Sequence, residues 1–480
     1  MLIGGASAIK AAVSIIRVKI FAVLLGPAGV GLIGAYDSIV GIASTLAGLG
    51  IGSSGVRQIA AASSSQDTAR FSRTVLVLRR VVFATGALGA LGLILLSGLV
   101  SQLTFGDRSH SFQIACLSVA VFFTCITAGQ VALVQGLRRI RDVALISITG
   151  PLIGTIICIP PLMILGDRAV VTVMVATALG AVLSSWWYSR STQTDSASLS
   201  ITDFSSELGG LLKLGLVFML TAFLKTATAY AIRTLIIRNL GLNSGGLYQA
   251  AWVLASFHID FILAAISKDF YPRLVAANSD SKASNRMTNE QSEISLVLAA
   301  PLVFSSIAFA PLVISVFYSP DFADAALILQ WQAVGVLLRV FGWPLSFIML
   351  AGNRSMLYFL SELFVASAQF GLTWAGISYY GLAGAGMAFL IVNLLHLVVL
   401  MLIAHWTTGF TFSRANRVLG LGVLALIILL FTVRYFFHGA ASLFLQSFII
   451  ISTVAGCFHY VTRVARVDIL GTVLRRFRSK

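Results

Sequence analysis

The chain has 480 residues, of which 58% are hydrophobic and only 10% carry a charge. Because about a quarter of the residues in a soluble protein are charged, this composition excludes a soluble globular protein and indicates a polytopic membrane protein. The formal net charge of +16 would suit a nucleic-acid binder, but the distribution of basic loops explains it, and no nucleic-acid partner is expected.

Apolar runs of 18 or more residues recur along the chain between short polar breaks. Such runs are typical of membrane-spanning helices rather than of the ten-residue alternating strands of an outer-membrane barrel. The sequence therefore predicts an all-α fold with about 14 transmembrane helices. They are expected at residues 3–25, 30–52, 81–104, 111–136, 143–166, 169–189, 211–237, 247–271, 295–318, 325–350, 356–379, 383–405, 418–438 and 442–462.

The first span is unusual because Lys10, Arg17 and Lys19 lie inside an apolar stretch. A cation at the centre of a membrane helix costs roughly 2.5–3.5 kcal/mol, so this face of the helix is not expected to contact lipid. Lys10, Ser14 and Arg17 fall on one helical stripe, which predicts a polar surface turned toward a water-filled interior. Alternatively, Lys10 and Lys19 extend to the membrane surface from near the helix ends.

Lysines and arginines are distributed unequally between the alternating loops. If the N-terminus is cytoplasmic, 23 of them lie on the cytoplasmic side and four on the other. The positive-inside rule therefore predicts that both termini are cytoplasmic. The remaining six lie within spans, and they are Lys10, Arg17, Lys19, Lys225, Arg233 and Arg339.

An internal repeat indicates that the chain was duplicated. Residues 25–32 (LGPAGVGL) are echoed by residues 240–247 (LGLNSGGL) at an offset of 215, and an offset of 216 pairs Arg138 with Arg354. We expect a six-helix unit at 1–189, a cytoplasmic linker at 190–210, a second six-helix unit at 211–405, and two further helices with a basic tail at 406–480. The polar break at 273–294 is also predicted to be a solvated linker.

Like the first span, the seventh span contains cations inside an apolar stretch, here Lys225 and Arg233. If the two copies are related by an axis along the membrane normal, cations from both copies and from Arg339 would line one cavity. Because guanidinium groups match phosphate oxygens, the predicted ligand is a diphosphate bound by all six span cations. Three acidic groups in spans would carry a coupling ion or balance neighbouring cations, and they are Asp37, Asp260 and Glu362.

Motifs of enzymes are not found in the sequence. It contains neither a P-loop nor a G-x-S-x-G elbow, and its four cysteines lie singly in apolar runs. The sequence therefore predicts a non-enzyme without a cofactor or metal.

Several segments together resemble a known family. They are LGPAGVGL (25–32), QGLRRIRD (135–142), LYQAA (247–251) and LQWQAVG (329–335), and they resemble the Wzx-type flippases for O-antigen and enterobacterial common antigen over about residues 1–405. These flippases belong to the same superfamily as the MATE exporters and the lipid II flippase. The resemblance implies two pseudo-symmetric six-helix lobes in a V shape around a cationic cavity, with two extra C-terminal helices.

The resemblance also implies a function. The substrate would be an undecaprenyl-diphosphate-linked oligosaccharide moved by alternating access from the cytoplasmic to the periplasmic leaflet of the bacterial inner membrane. The implied partners are that glycan lipid, membrane lipids and other membrane proteins of polysaccharide assembly. Two alternatives stay open, a MATE-like drug or cation antiporter and a membrane-embedded glycan polymerase.

Overall fold

The structure is a computed structural model that describes residues 2–65, 67–192, 201–437 and 439–463. Side chains at 2–12, 167, 201–203, 206, 214, 217, 258–269, 461 and 463 lie outside the described part. All regular elements in the described ranges are helical. The α-helices are α1 (Leu2–Gly48), α2 (Ile51–Ser64), α3 (Thr68–Phe105), α4 (Ser111–Cys116), α5 (Ser118–Gly136), α6 (Ile140–Leu165), α7 (Val170–Ser189), α8 (Ile201–Ala276), α9 (Ser281–Ala308), α10 (Ala310–Phe317), α11 (Ala325–Ala351), α12 (Ser355–Tyr380), α13 (Leu382–Thr408), α14 (Arg414–Phe436) and α15 (Gly439–Arg463).

Among the residues that the structure describes, twelve helices are long and apolar enough to cross a membrane. Two of them contain a break at a glycine with positive φ. In α1 this glycine is Gly26 (φ 60°), and in α8 it is Gly241 (φ 85°). Residues other than glycine rarely adopt this conformation. After Gly26, Pro27 also lacks the backbone N–H that would continue the helical hydrogen bonds. Each of these helices therefore carries two predicted spans, so the twelve helices accommodate the predicted 14. The all-α polytopic fold is confirmed.

The backbone supports the internal repeat. The helix-ending glycines Gly166 (φ 54°, ψ −129°) and Gly381 (φ 58°, ψ −144°) are 215 residues apart and have nearly the same conformation. Gly26 and Gly241 are separated by the same offset. Equivalent breaks at one constant offset indicate two copies of the same helical unit.

One predicted pairing in the repeat was off by one residue. The sequence pairs Arg138 with Arg354, but the φ angle of 56° at Arg138 recurs at Asn353. The N–H of Arg139 donates to the carbonyl of Val134, as that of Arg354 does to Met349. The turn therefore repeats at the offset of 215. The sequence pairing had used an offset of 216 because glycine and arginine are identical in the two turns at that offset.

The described chain forms two compact units. The first unit consists of residues 1–249 and 317–321, and its core includes the fully buried side chains of Tyr36, Leu78 and Leu162. These residues lie on α1, α3 and α6, so the apolar faces of these helices meet in one core.

The second unit consists of residues 250–316 and 322–480. Helix α11 is buried along much of its length, and one core cluster of this unit combines Leu345 and Met349 of α11 with Leu400 and Ala404 of α13. The packing of these apolar side chains fixes α11 and the end of α13 within the unit.

The predicted solvated linker at 273–294 is wrong, because α8 continues to Ala276 and α9 begins at Ser281. Asp280 caps α9 by accepting hydrogen bonds from the N–H groups of Lys282 and Ala283. Farther along α9, the Asn289 side chain accepts from the N–H of Ser413 and from Asn416. The polar residues that suggested a linker thus join α9 to the start of α14.

Candidate anion-binding site

Two segments of the first unit cross at a pair of glycines. A Cβ atom added to Gly31 would clash with the carbonyl oxygen of Leu242, and one added to Gly246 would clash with that of Pro27. The two contacts are reciprocal, and Gly31 and Gly246 are 215 residues apart, as are Pro27 and Leu242. The second half of α1 and the matching part of α8 are therefore related by a local two-fold axis.

This crossing brings Arg233 to both segments. Arg233 Nε donates to Gln249 Oε1 over 2.8 Å, and Nη1 donates to Ser38 Oγ over 2.9 Å. A guanidinium has five N–H donors, and three of those of Arg233 have no hydrogen-bond partner among the described residues. Both hydrogen-bond partners of Arg233 are uncharged, so neither of them cancels its positive charge.

Arg17 and Asp37 complete the group. Arg17 is half-buried on the first half of α1 and has no ion pair within 4.0 Å among the described residues. The side chain of Asp37 is exposed and lies within electrostatic reach of both Arg17 and Arg233. Two guanidinium groups share one carboxylate, so the group retains positive charge. It meets the basic requirement for binding an anion.

The three predicted lysines have different environments. Lys19 is half-buried, and its ammonium donates to the backbone carbonyl of Tyr318. It follows Arg17 by two positions, about 200° around the helix, so it lies on another side of α1. Lys225 is exposed on α8, whereas the side chain of Lys10 lies outside the described residues.

Arg339 belongs to the second unit, where it lies among other titratable groups. Arg339 and Glu362 both interact electrostatically with Tyr358 and His396. Arg339 and Glu362 are each half-buried. Arg339 thus shares its electrostatic neighbours with a carboxylate, and it belongs to a different compact unit from Arg17 and Arg233.

The remaining predicted site residue is Asp260. The side chain of Asp260 lies outside the described residues. Within the part of the chain that the structure describes, no cluster of His, Cys, Asp and Glu could hold a metal ion.

Sequence reasoning missed Ser38 and Gln249 as members of the site. Gln249 lies in the segment LYQAA (247–251) that contributed to the family resemblance, so that motif could have pointed to it. Ser38 gave no signal, because its bond to Arg233 joins residues 195 positions apart, and a serine in a membrane helix most often bonds its own backbone.

A family model described as "Polysaccharide biosynthesis protein" matches residues 20–327, which is more than half of the chain. Among curated proteins, the chain is 23% identical over 388 residues to the "Lipid III flippase" of Escherichia coli (strain K12). That match covers 78% of this chain and 89% of the relative.

Solved structures share the fold. The "Lipid II flippase MurJ, inward closed conformation" aligns with a TM-score of 0.74 at 16% identity, covering 96% of this chain and 98% of that one. An inward-facing multidrug resistance MATE family transporter of the MOP superfamily aligns with a TM-score of 0.70 at 16% identity, covering 83% and 94%. At these identities the likeness shows the fold alone.

Proposed function

The chain belongs to the polysaccharide biosynthesis protein family, and from that premise we propose that it is a flippase for an undecaprenyl-diphosphate-linked oligosaccharide. The family match is in line with the resemblance seen in the sequence. The proposed direction is from the cytoplasmic to the periplasmic leaflet by alternating access. A lipid III flippase among the relatives supports this substrate class.

The observation that carries the proposal is the group of Arg17, Asp37 and Arg233 in the first unit. Cations within apolar helices are expensive unless they are hydrated or bind an anion. A diphosphate offers oxygen acceptors that suit guanidinium forks. We assign diphosphate binding to Arg17 and Arg233, with further positive charge from Lys10 and Lys225 on the same two helices.

Lys19 and Arg339 have a different place in this proposal. The ammonium of Lys19 donates to the Tyr318 carbonyl, and Arg339 shares its neighbours Tyr358 and His396 with Glu362. We therefore assign both to structural roles. We likewise propose that Asp37 and Glu362 balance neighbouring cations.

The protein is a multi-pass membrane protein, and its described ranges contain twelve helices of suitable length and composition. We propose that it resides in the bacterial inner membrane with both termini in the cytoplasm, because its basic loops lie on one side. The constant repeat offset supports two six-helix halves at 1–189 and 211–405, joined by 190–210 and followed by the two helices of 406–480. Other membrane proteins of polysaccharide assembly are proposed partners.

The test locates the lipid-linked precursor by leaflet in cells that lack the protein. We expect accumulation on the cytoplasmic leaflet, with export restored by the wild-type chain but not by an Arg17→Ala/Arg233→Ala variant present in the membrane. The matched control is Arg108→Ala, which removes an exposed arginine and should restore export fully.

Other outcomes favour the alternatives. Accumulation of unpolymerised glycan on the periplasmic face would favour a polymerase. Normal export together with raised drug sensitivity of the deletion strain would favour a MATE-like antiporter. Either result would contradict the proposed flippase.

A further inference from the structure

The Arg233 side chain joins the two copies of the internal repeat, because Ser38 belongs to the first copy while Arg233 and Gln249 belong to the second. We propose that Ser38 and Gln249 are positioning residues that hold the Arg233 guanidinium ready for the diphosphate. This inference rests on the proposed function, since it concerns the same ligand. It assigns a role to two uncharged residues that the charge pattern does not reveal.

The direction of the hydrogen bonds fits this role. The Ser38 hydroxyl donates to the carbonyl oxygen of Gly34 over 2.8 Å, which leaves its lone pairs free to accept from Arg233. Gln249 accepts from Nε through its amide oxygen. The guanidinium is thus held at two nitrogens before any ligand binds, and a fixed fork loses less conformational freedom when it binds.

Space around Gln249 is also restricted. A Cβ atom added to Gly34 would lie 3.1 Å from the side chain of Gln249, which is closer than ordinary van der Waals contact. Gly34 therefore provides the room in which the Gln249 amide reaches Arg233. The glycine, the serine and the glutamine form one connected arrangement around the guanidinium.

Neutral partners matter because they leave the charge available. Arg139 in the same unit is held instead by a carboxylate, with its Nε 2.6 Å from Asp142 Oδ2. A carboxylate would fix a guanidinium equally well, but it would cancel the charge that attracts an anion. The choice of an amide and a hydroxyl at Arg233 fits a residue that must stay both ordered and cationic.

The test measures the Kd of the purified full-length protein for a polyprenyl diphosphate and for the monophosphate of the same chain length. We expect Ser38→Ala and Gln249→Leu each to raise the Kd for the diphosphate about tenfold and to reduce the preference for diphosphate over monophosphate. The matched control is Ser44→Ala, since the hydrogen bonds of the Ser44 hydroxyl to described residues stay within α1, to Val40 and Gly41. It should leave both Kd values within about twofold of wild type.

A second variant guards against a folding defect. Gln249→Glu keeps the shape of the side chain and an acceptor oxygen but adds a negative charge beside Arg233. It should therefore bind both lipids more weakly, while its unfolding temperature stays near that of wild type. Diphosphate binding by Gln249→Glu at the wild-type level would overturn the argument for neutral partners.

The remaining outcomes separate the two proposals. If Ser38→Ala and Gln249→Leu bind like wild type while Arg233→Ala does not, the positioning role is wrong and the proposed function stands. If the wild-type protein shows no preference for the diphosphate, the proposed function and the positioning role both fail.

Discussion

The membrane-embedded arginines of the two units have chemically different neighbours. In the first unit, Arg233 is held by the neutral side chains of Ser38 and Gln249, and one exposed carboxylate, Asp37, is shared with Arg17. In the second unit, Arg339 and Glu362 share Tyr358 and His396 as electrostatic neighbours. Arg233 is therefore fixed by hydrogen bonds to uncharged side chains, whereas Arg339 and a carboxylate act on the same phenol and imidazole. The comparison shows that partner chemistry, rather than the presence of a cation, identifies a candidate anion site.

The largest effect is expected from removing the two guanidinium groups that share Asp37. Arg17→Ala and Arg233→Ala together should weaken polyprenyl diphosphate binding by more than 100-fold, because hydrogen bonds to charged groups contribute about 1.5–3 kcal/mol each. The measurement is the Kd of the purified variant, with Arg108→Ala as the matched control. If the double variant binds within tenfold of wild type, the first unit does not hold the anion site.

The glycine crossing should be nearly as sensitive. Gly246→Ala places a methyl group against the Pro27 carbonyl, so α1 and α8 must separate and the Arg233 contact with Ser38 is strained. We expect a loss of stability on the order of 2–3 kcal/mol, similar to other overpacked sites, measured as the unfolding temperature in detergent.

A glycine with free space provides the control. Gly41 lies on the same helix with no atom within 4 Å of an added Cβ, so Gly41→Ala should be neutral or stabilise by up to about 1 kcal/mol. Equal destabilisation by both substitutions would show that the crossing has no special role.

The second unit should respond in stability rather than in binding. Glu362→Gln removes the carboxylate that shares the neighbours Tyr358 and His396 with Arg339, and we expect a loss of at most about 1 kcal/mol, as for charges that are not fully buried. The double variant Arg339→Gln/Glu362→Gln should recover part of this loss in a double-mutant cycle. Both variants should bind the diphosphate within about twofold of wild type, and a tenfold loss in Arg339→Gln would place Arg339 in the anion site after all.

The smallest effect is expected at the shared carboxylate. Asp37→Asn removes the carboxylate that interacts with both Arg17 and Arg233, so the site becomes more positive and should bind the diphosphate several-fold more tightly. The same Kd measurement serves as the check. Weaker binding by Asp37→Asn would instead indicate that the carboxylate is needed for the ligand or for a coupling ion.

Much of the fold could be predicted because membrane spans are long and apolar. The break at Gly26-Pro27 and its echo at Gly241 followed from local sequence, since glycine and proline determine backbone conformation directly. The helix over 281–294 could not be predicted in the same way. Its polar side chains are satisfied by Ser413 and Asn416, more than 120 residues away, and composition does not report such contacts.

In the candidate site, too, some residues could be predicted from local sequence and others could not. Arg17 and Arg233 could be singled out because a cation in an apolar helix is costly wherever it lies. Their partners could not, because Ser38 acquires its role only through the crossing of α1 and α8. Lys19 looked equivalent to Arg17 in sequence, but its position on another side of the helix gives it the Tyr318 carbonyl as its partner.

The most direct test of the central claim is transport by the purified protein in lipid vesicles. The measured quantity is the fraction of an added undecaprenyl-diphosphate-linked oligosaccharide that becomes accessible on the opposite leaflet. We predict that the wild-type chain moves this lipid well above empty vesicles and that the Arg17→Ala/Arg233→Ala variant does not. Transport by that variant at the wild-type rate, or none by the wild-type chain, would contradict the account.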